Sequence, residues 1–490
     1  MFLRVGREDI KVALKDTGTI LFYAGMCFFI PIILAILMDK NPDTLFFYAV
    51  SALGLFALGY LLRKIPVKKD TETKHAMLSI VLIWIFFCFF ASLPFTFIMK
   101  VSLLDAFFET MSTLTTTGLS VMIPLLDTMP PSLIFWRSFL GWVGGIGIVL
   151  MAFIGLMTTY SKTTKLLVAE GHGDQLKENL KVSAKKITSI YILLTIIGIV
   201  LLMFSGQTIW QAVNYSMSAI STNGMDISSI GLNAINNGWA PVGLNNYWVN
   251  ISLVVIMVMG SMSFALHYLF LRKKNWLVYF KDPEFRLLLL LGFVSTLIVA
   301  TKIGLLNGFF HTFSLITCGG FALVTGIELA AWPEFVKFLW VPIVIIGGAA
   351  GSTAGGIKLS RTIIFVKGIY WSIRKTLLPE GSYFQRQYNG QKISGDTVKQ
   401  VNQFILLWLI FIVIGIIVIS SYGYPLADVI FEVASAQSNA GISTGISTAF
   451  APIGVKIMLI INMFVGRLEI IPIMASIGLL LSIKGRRRKN

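Results

Sequence analysis

The sequence predicts an all-α integral membrane protein: two N-terminal transmembrane helices, then four pseudo-fourfold repeats of a helix, a re-entrant half-helix, a glycine-centred segment and a second helix. Three observations predict it. Of 490 residues, 56% are hydrophobic and 13% charged, with a mean hydropathy of +0.80, whereas a soluble domain carries roughly a quarter charged residues. Apolar runs long enough to cross about 30 Å of hydrocarbon at ~1.5 Å per residue recur along the chain. Between them, one short motif appears four times.

The apolar runs lie near 18–38, 44–62, 76–98, 131–159, 183–205, 242–271, 286–303, 334–371, 400–421 and 452–484. Ten crossings put both termini on one side. The loops on that side are basic: Arg63 to Lys74, Lys162 to Lys186, Arg272 to Arg286, Lys358 to Lys399, and the tail with Lys484, Arg486, Arg487, Arg488 and Lys489. The positive-inside rule makes that face cytoplasmic, in a multi-pass protein of the inner (cytoplasmic) membrane. Mixed charges precede the first run and no small-residue cleavage site follows it, so a retained first helix is expected rather than a signal peptide.

The net charge of +17 sits in short loops, not along one amphipathic face, which points to anionic lipid headgroups and away from nucleic acid. Cys27, Cys88 and Cys318 are too far apart for a disulfide framework or a metal cluster.

After crossings three, five, seven and nine the chain runs through DAFFETMSTLTTTGLS, QAVNYSMSAISTNGMD, NGFFHTFSLITCGGFA and DVIFEVASAQSNAGIS. About a dozen half-apolar residues cannot span, so each is a re-entrant candidate. Aligned on Gly118, Gly224, Gly320 and Gly441, the segments share Ser112, Ser218, Ser314 and Ser435 six residues earlier. A hydroxyl stands three earlier (Thr115, Ser221, Thr317, Ser438), a small or β-branched residue twelve earlier (Ala106, Ala212, Gly308, Val429), and an apolar residue one later (Leu119, Met225, Phe321, Ile442). The expected divisions are residues 1–65 for the N-terminal pair, then repeats at 66–165, 166–275, 276–385 and 386–490.

Four equal units around one axis make a pore, and a potassium-sized ion stripped of water needs a ring of oxygens. Turning consecutive carbonyls toward an axis requires dihedrals that glycine tolerates, and neighbouring hydroxyls add oxygens. The filter candidates are therefore Thr116, Thr117 and Gly118; Thr222, Asn223 and Gly224; Cys318, Gly319 and Gly320; Asn439, Ala440 and Gly441. Potassium would sit at the residues preceding each glycine. The half-helices would aim their negative ends at the ion path. Asp105, Glu109, Asp428 and Glu432 are read as carboxylates near the positive starts of those half-helices.

This pattern, with Thr116-Thr117-Gly118-Leu119 in the first repeat, resembles the superfamily of bacterial Trk and Ktr and plant HKT potassium transporters over nearly the whole chain. The two extra N-terminal helices resemble the Trk type. The resemblance implies potassium uptake through a four-repeat selectivity filter, and the glycine at all four positions favours potassium, since a serine in the first repeat accompanies sodium preference in some plant members. The same filter would serve a less selective potassium/sodium pathway or an ion-coupled symporter. Repeats three and four lack the Thr-Thr pair. The resemblance also implies a homodimer with nucleotide-binding RCK-type subunits on the cytoplasmic face, and no cofactor in this chain.

Inside the eighth run, Gly347, Gly348, Gly351, Ser352, Thr353, Gly355, Gly356 and Lys358 form a stretch with five glycines that makes a poor helix. Its residues alone allow close helix packing or a flexible segment beneath the filter; the family, where this stretch is an intramembrane gating loop, favours the latter. Arg467 lies mid-run, where a charge costs at least ~2.5 kcal/mol unless it faces water or a partner. It is expected in the pore beside that loop, or else paired with Glu469 or helix-end carbonyls. Arg137 and the following Gly141-Trp142-Val143-Gly144-Gly145 read as an interfacial cation and a close-packing face.

Gly441 to Gly445 fits the G-x-S-x-G nucleophile pattern but lacks the strand–turn–helix context. The histidines at 75, 172, 267 and 311 make poor candidate bases, so no enzyme is expected. Gly351 to Gly356 is followed by Ile357-Lys358, not the Lys-Ser/Thr of a phosphate loop. Inverted-repeat carriers come in pairs, whereas these four copies start on the same side.

Overall fold

A computed structural model describes residues 6–159, 173–229, 232, 246–379 and 385–487. The predicted loop around Lys162, His172, and Arg488 and Lys489 of the tail lie outside these residues.

The first apolar run extends further toward the N-terminus than its hydropathy indicates. Helix Arg7–Ala24 continues through a 3-10 turn, an α turn and a π turn to Asp39. Asn41 caps the next helix, Pro42–Arg63, accepting the Asp43 N–H, with Pro42 at the first helical position. The two helices cross where both are glycine: a Cβ on Gly18 would stand 2.8 Å from the Gly59 carbonyl, and one on Gly59 3.0 Å from the Gly18 carbonyl. Such close backbone approach is how apolar helices associate without a hydrophobic drive. Asp39 docks this pair on the repeats by accepting the Ser132 N–H at 3.0 Å.

Each repeat contributes an outer helix, a pore helix and an inner helix. The outer helices are Thr73–Met99, Gly173–Phe204, Pro283–Ile303 and Gly395–Ser420. The pore helices are Leu103–Leu114, Ile209–Ile220, Leu305–Ile316 and Leu426–Gln437, of 12 residues each. The small residue twelve before each glycine is buried in every copy. At Gly308 the reason is visible, for a Cβ would lie 3.2 Å from the Ala300 backbone of the outer helix.

The inner helices differ from the unbroken crossings expected. That of repeat one runs Pro131–Thr159. In repeat two, Tyr247–Ser261 and Phe264–Lys273 are bent by 98°, and in repeat four, Ile453–Leu468 and Ile470–Leu479 by 105°. In repeat three, Glu334–Ile346 and Leu359–Leu377 are separated by the five-glycine stretch. The runs 242–271, 334–371 and 452–484 are thus each split. Six described helices are long and apolar enough to span alone, and the two bent pairs bring the number to eight. The other two expected crossings are the inner helix of repeat one and the interrupted one of repeat three.

Each inner helix packs on the pore helix of the following repeat, and the fourth packs on the first, closing a ring. Two lysines staple it: Lys337 of repeat three donates to Asp428 of repeat four at 2.6 Å, and Lys456 of repeat four to Asp105 of repeat one. Among the described residues, one element departs from the all-helical expectation. Gln387–Tyr388 pairs antiparallel with Gln391–Lys392 around Asn389 (φ 48) and Gly390 (φ 76), the backbone that Asn-Gly favours in a two-residue hairpin.

Candidate functional site

The four pore helices end where the glycine segments begin, so their C-terminal, partially negative ends converge on these segments. The exit is built alike each time. The residue two before the glycine is left-handed: Thr116 (φ 53), Thr222 (φ 54), Cys318 (φ 53) and Asn439 (φ 54). The following N–H then turns back to the carbonyl of the shared serine, Thr117 to Ser112, Asn223 to Ser218, Gly319 to Ser314 and Ala440 to Ser435, at 2.6–2.9 Å. In repeats two and three the serine hydroxyl also ties down the residue after the glycine, Ser218 donating to the Met225 carbonyl at 3.1 Å and Ser314 to that of Phe321 at 2.7 Å.

The segments meet edge to edge in chain order. A Cβ on Gly118 would overlap the Asn223 carbonyl oxygen, one on Gly224 would stand 2.7 Å from the Gly319 carbonyl, one on Gly320 2.9 Å from the Ala440 carbonyl, and one on Gly441 would overlap the Thr117 carbonyl. Each glycine therefore abuts the carbonyl of the residue before a neighbouring glycine, and the set closes on itself. All four glycines have φ between 70 and 96. A side chain is excluded twice over, by dihedral and by space.

Three of the four hydroxyls three before the glycine bond back into their own helices. Those of Thr115, Ser221 and Thr317 donate to the carbonyls four residues earlier in their own helices, at 2.6–2.7 Å, the back-bonding open to Ser and Thr in a helix. Other buried oxygens lack a partner: Thr116 Oγ1, Asn223 Oδ1, Ser438 Oγ and Asn439 Oδ1. Thr117 Oγ1 accepts from Asn439 Nδ2 at 2.9 Å, joining repeats one and four. Among the described residues, no group of three His, Cys, Asp or Glu side chains is placed to hold a metal ion. What converges is amide and hydroxyl oxygen, the ligand chemistry of a hard monovalent cation.

The segments are also clamped after the glycine, by a column that the sequence comparison missed. Nine residues before the glycine stand Glu109, Tyr215, His311 and Glu432. The N–H three residues after the glycine is captured by Glu109 (from Val121, 3.2 Å), His311 (from Leu323, 3.1 Å) and Glu432 (from Thr444, 2.7 Å). In repeat two, Tyr215 donates to Asp226, which accepts the equivalent Ile227 N–H at 2.9 Å. Glu109 and Glu432 are wholly buried at the seventh position of their 12-residue helices, which corrects their reading as carboxylates near the helix starts.

Arg137 is buried and paired. It donates to Glu109 through Nη2 at 2.6 Å and Nε at 2.9 Å, and to the Asp226 carbonyl of repeat two at 2.6 Å. In the stretch that follows it, Gly144 lies against the Leu114 carbonyl, where a Cβ would not fit.

The five-glycine stretch forms a loop crossing the ring on the side where the inner helices break. Its neck is closed by Ile357 N–H to Ile345 O (2.8 Å) and Lys358 N–H to Ile346 O (3.0 Å). Gly347 (φ 68) and Gly356 (φ 75) lie back to back in the neck, with 2.8 Å between a Cβ on Gly356 and Gly347 Cα. Thr353 reaches repeat two, its hydroxyl 2.9 Å from both the Ile220 and Gly260 carbonyls. Gly355 lies against the Ser438 carbonyl of repeat four. The Ser352 hydroxyl donates to Ala349, and Lys358 Nζ to Ala354. Backbone freed at the repeat-two bend is taken by the loop: Phe264 N–H donates to Gly351 O, and Ala349 N–H to Ser261 O. Broken helix at membrane depth is tolerated where protein supplies such partners.

Arg467 is 3% exposed. Its Nη1 donates to the Thr353 carbonyl at 2.6 Å and its Nη2 to the Gly144 carbonyl at 3.3 Å. It does not pair with Glu469, which takes Arg361 at 2.8 Å. The Ser443 of the nucleophile-like pattern donates to Glu432 as part of the clamp. Of the candidate bases, His311 serves the clamp, while His75 contacts Asp9 and His267 contacts Tyr279, each at 3.0 Å.

Multi-pass helices around a closed ring of four re-entrant segments define a membrane protein of the four-repeat cation transport class. Residues 55–481 match the family model described as TrkH, cation transport protein. The chain is 30% identical over 474 residues, 96% of each chain, to an uncharacterized cation transporter of Methanocaldococcus jannaschii. It is 27% identical over 426 residues to the Trk system potassium uptake protein TrkH of Escherichia coli, covering 82% of this chain and 85% of that one. The crystal structure of the potassium transporter TrkH from Vibrio parahaemolyticus superimposes with a TM-score of 0.80 at 25% identity, covering 95% of this chain and 97% of that one. The chain belongs to the TrkH family, as a membrane subunit of the Trk type.

Proposed function

We propose that this chain takes up potassium across the cytoplasmic membrane through a selectivity filter formed by its four glycine segments. The observation that carries the reading is the closed ring, in which each glycine abuts a carbonyl of a neighbouring segment at the negative ends of four helices. Carbonyls so arranged replace the hydration shell of a dehydrated cation. The residues proposed to line the ion sites are Thr116, Thr117, Thr222, Asn223, Cys318, Gly319, Asn439 and Ala440. That the Escherichia coli relative is a potassium uptake protein supports potassium as the ion.

The loop from Gly347 to Lys358 is the proposed gate, with Arg467 as its latch and electrostatic barrier. Its position across the ring and the Arg467–Thr353 bond support this. The reading includes cytoplasmic termini, a homodimer, and RCK-type regulatory subunits on the basic face. Rubidium tracer uptake into proteoliposomes holding this chain alone tests the central claim. Uptake that potassium competes out and sodium does not is expected; equal competition by sodium would replace the potassium filter with a looser cation pathway.

A further inference from the structure

Among the described residues, one side chain outside the pore repeat interfaces tethers the proposed gate, and it leads to a hairpin at the protein surface. The Ala350 N–H, near the tip of the loop, donates to Glu284 Oε2 at 2.8 Å. Glu284 is the second residue of the outer helix of repeat three, where the helix dipole favours a carboxylate. Its other oxygen accepts the Tyr388 hydroxyl at 3.2 Å. Tyr388 belongs to the hairpin Gln387–Lys392, paired in register with Gln391, and the Ile393 N–H to Arg386 O bond extends the ladder at 3.0 Å. The Lys367 ammonium stands 5.9 Å from the Tyr388 ring.

One carboxylate therefore receives the gate loop on one oxygen and a surface hairpin on the other. The hairpin turns through an Asn-Gly pair that matches the strand twist, and it immediately precedes the Ser394 cap of the last outer helix. We propose that Glu284 is a positioning residue for the loop and that the hairpin, through Tyr388, is a regulatory input: displacing it releases one oxygen of Glu284 and loosens the hold on Ala350. The inference rests on the reading of the loop as a gate. It needs no movement of the glycine ring, so ion discrimination stays constant while the open fraction changes.

Tyr388→Phe removes the hydroxyl and keeps the ring, and Glu284→Gln leaves a single acceptor oxygen for two donors. Full-length variants in proteoliposomes are compared by amide hydrogen exchange over residues 347–358 and by rubidium flux. About tenfold faster exchange in the loop is expected, from loss of a hydrogen bond to a charged group. Pore helix 209–220 should keep its exchange rate, and basal rubidium flux should rise several-fold at an unchanged rubidium-to-sodium ratio. Unchanged loop exchange in both variants would overturn the inference whether or not the chain conducts. Faster loop exchange with unchanged flux would uphold the tether and overturn the gate.

Discussion

Replacing Arg467 by Ala removes the only side-chain donor that the described residues direct at the Thr353 carbonyl. The bond is short, 2.6 Å, and charge-assisted; a second, to Gly144, is long at 3.3 Å and weaker. A hydrogen bond to a charged group contributes about 1.5–3 kcal/mol, and the loop also keeps its neck bonds and the Thr353 hydroxyl contacts. At ~1.4 kcal/mol per factor of ten, the loop equilibrium shifts about 10- to 100-fold toward release. Rubidium efflux from proteoliposomes, normalised to protein inserted, should rise by that factor unless the open fraction is already near saturation. Arg467→Lys separates two causes. Lysine keeps the charge but lacks the planar fork that reaches two carbonyls, so a latch predicts raised flux in Lys and Ala alike, whereas a purely electrostatic barrier leaves Lys low. Wild-type flux in the Ala variant would refute both.

Gly118→Ser forces a Cβ against the Asn223 carbonyl at φ 96; the rubidium-to-sodium flux ratio is expected to fall several-fold, and an unchanged ratio would remove Gly118 from the filter. Arg137→Met strands the buried Glu109 carboxylate, at a cost of about 3–5 kcal/mol, seen as a lower melting temperature in detergent. Adding Glu109→Gln should restore part of that loss, because an amide still accepts the Val121 N–H without an unpaired charge; no recovery would mean that the pair's value is not electrostatic.

Much of the fold was legible because membranes restrict the options: apolar length reports crossings, and unusual dihedrals report themselves as glycine. The ring glycines and the loop neck were visible for that second reason. The bends at Ser263 and Glu469 were not: Gly260 stands just before the first and Gly466 and Pro472 flank the second, but glycine and proline also occur in unbroken membrane helices, as Pro94 does in Thr73–Met99. At Ser263 the backbone leaves the helix because the loop, some 90 residues on, supplies the hydrogen bonds. Glu469 sits at φ 61 with its carboxylate held by Arg361. The pairing of Arg137 was hidden for a similar reason: its partner Glu109 stands 28 residues earlier, and local hydropathy does not reveal a partner so far along the chain. The hairpin, in contrast, had its signal in Asn389-Gly390, overshadowed by the helical character of everything around it.

The clamp column shows why residue identity underreports function in a repeat protein. Glu109 and Glu432 match while Tyr215 and His311 break the column, yet each holds the N–H three residues past its glycine, directly or through Asp226. The position must present an acceptor at a set distance from the pore helix, and an imidazole nitrogen, a carboxylate or a tyrosine–aspartate pair meets that need. What the four repeats conserve is therefore the backbone path between two fixed points, the shared-serine carbonyl before the glycine and the captured N–H after it. Carbonyl spacing in the ring follows from that path. Side chains next to the glycine are then free to differ, and repeats three and four dispense with the Thr-Thr pair of repeat one while keeping the left-handed residue and the glycine dihedral nearly unchanged.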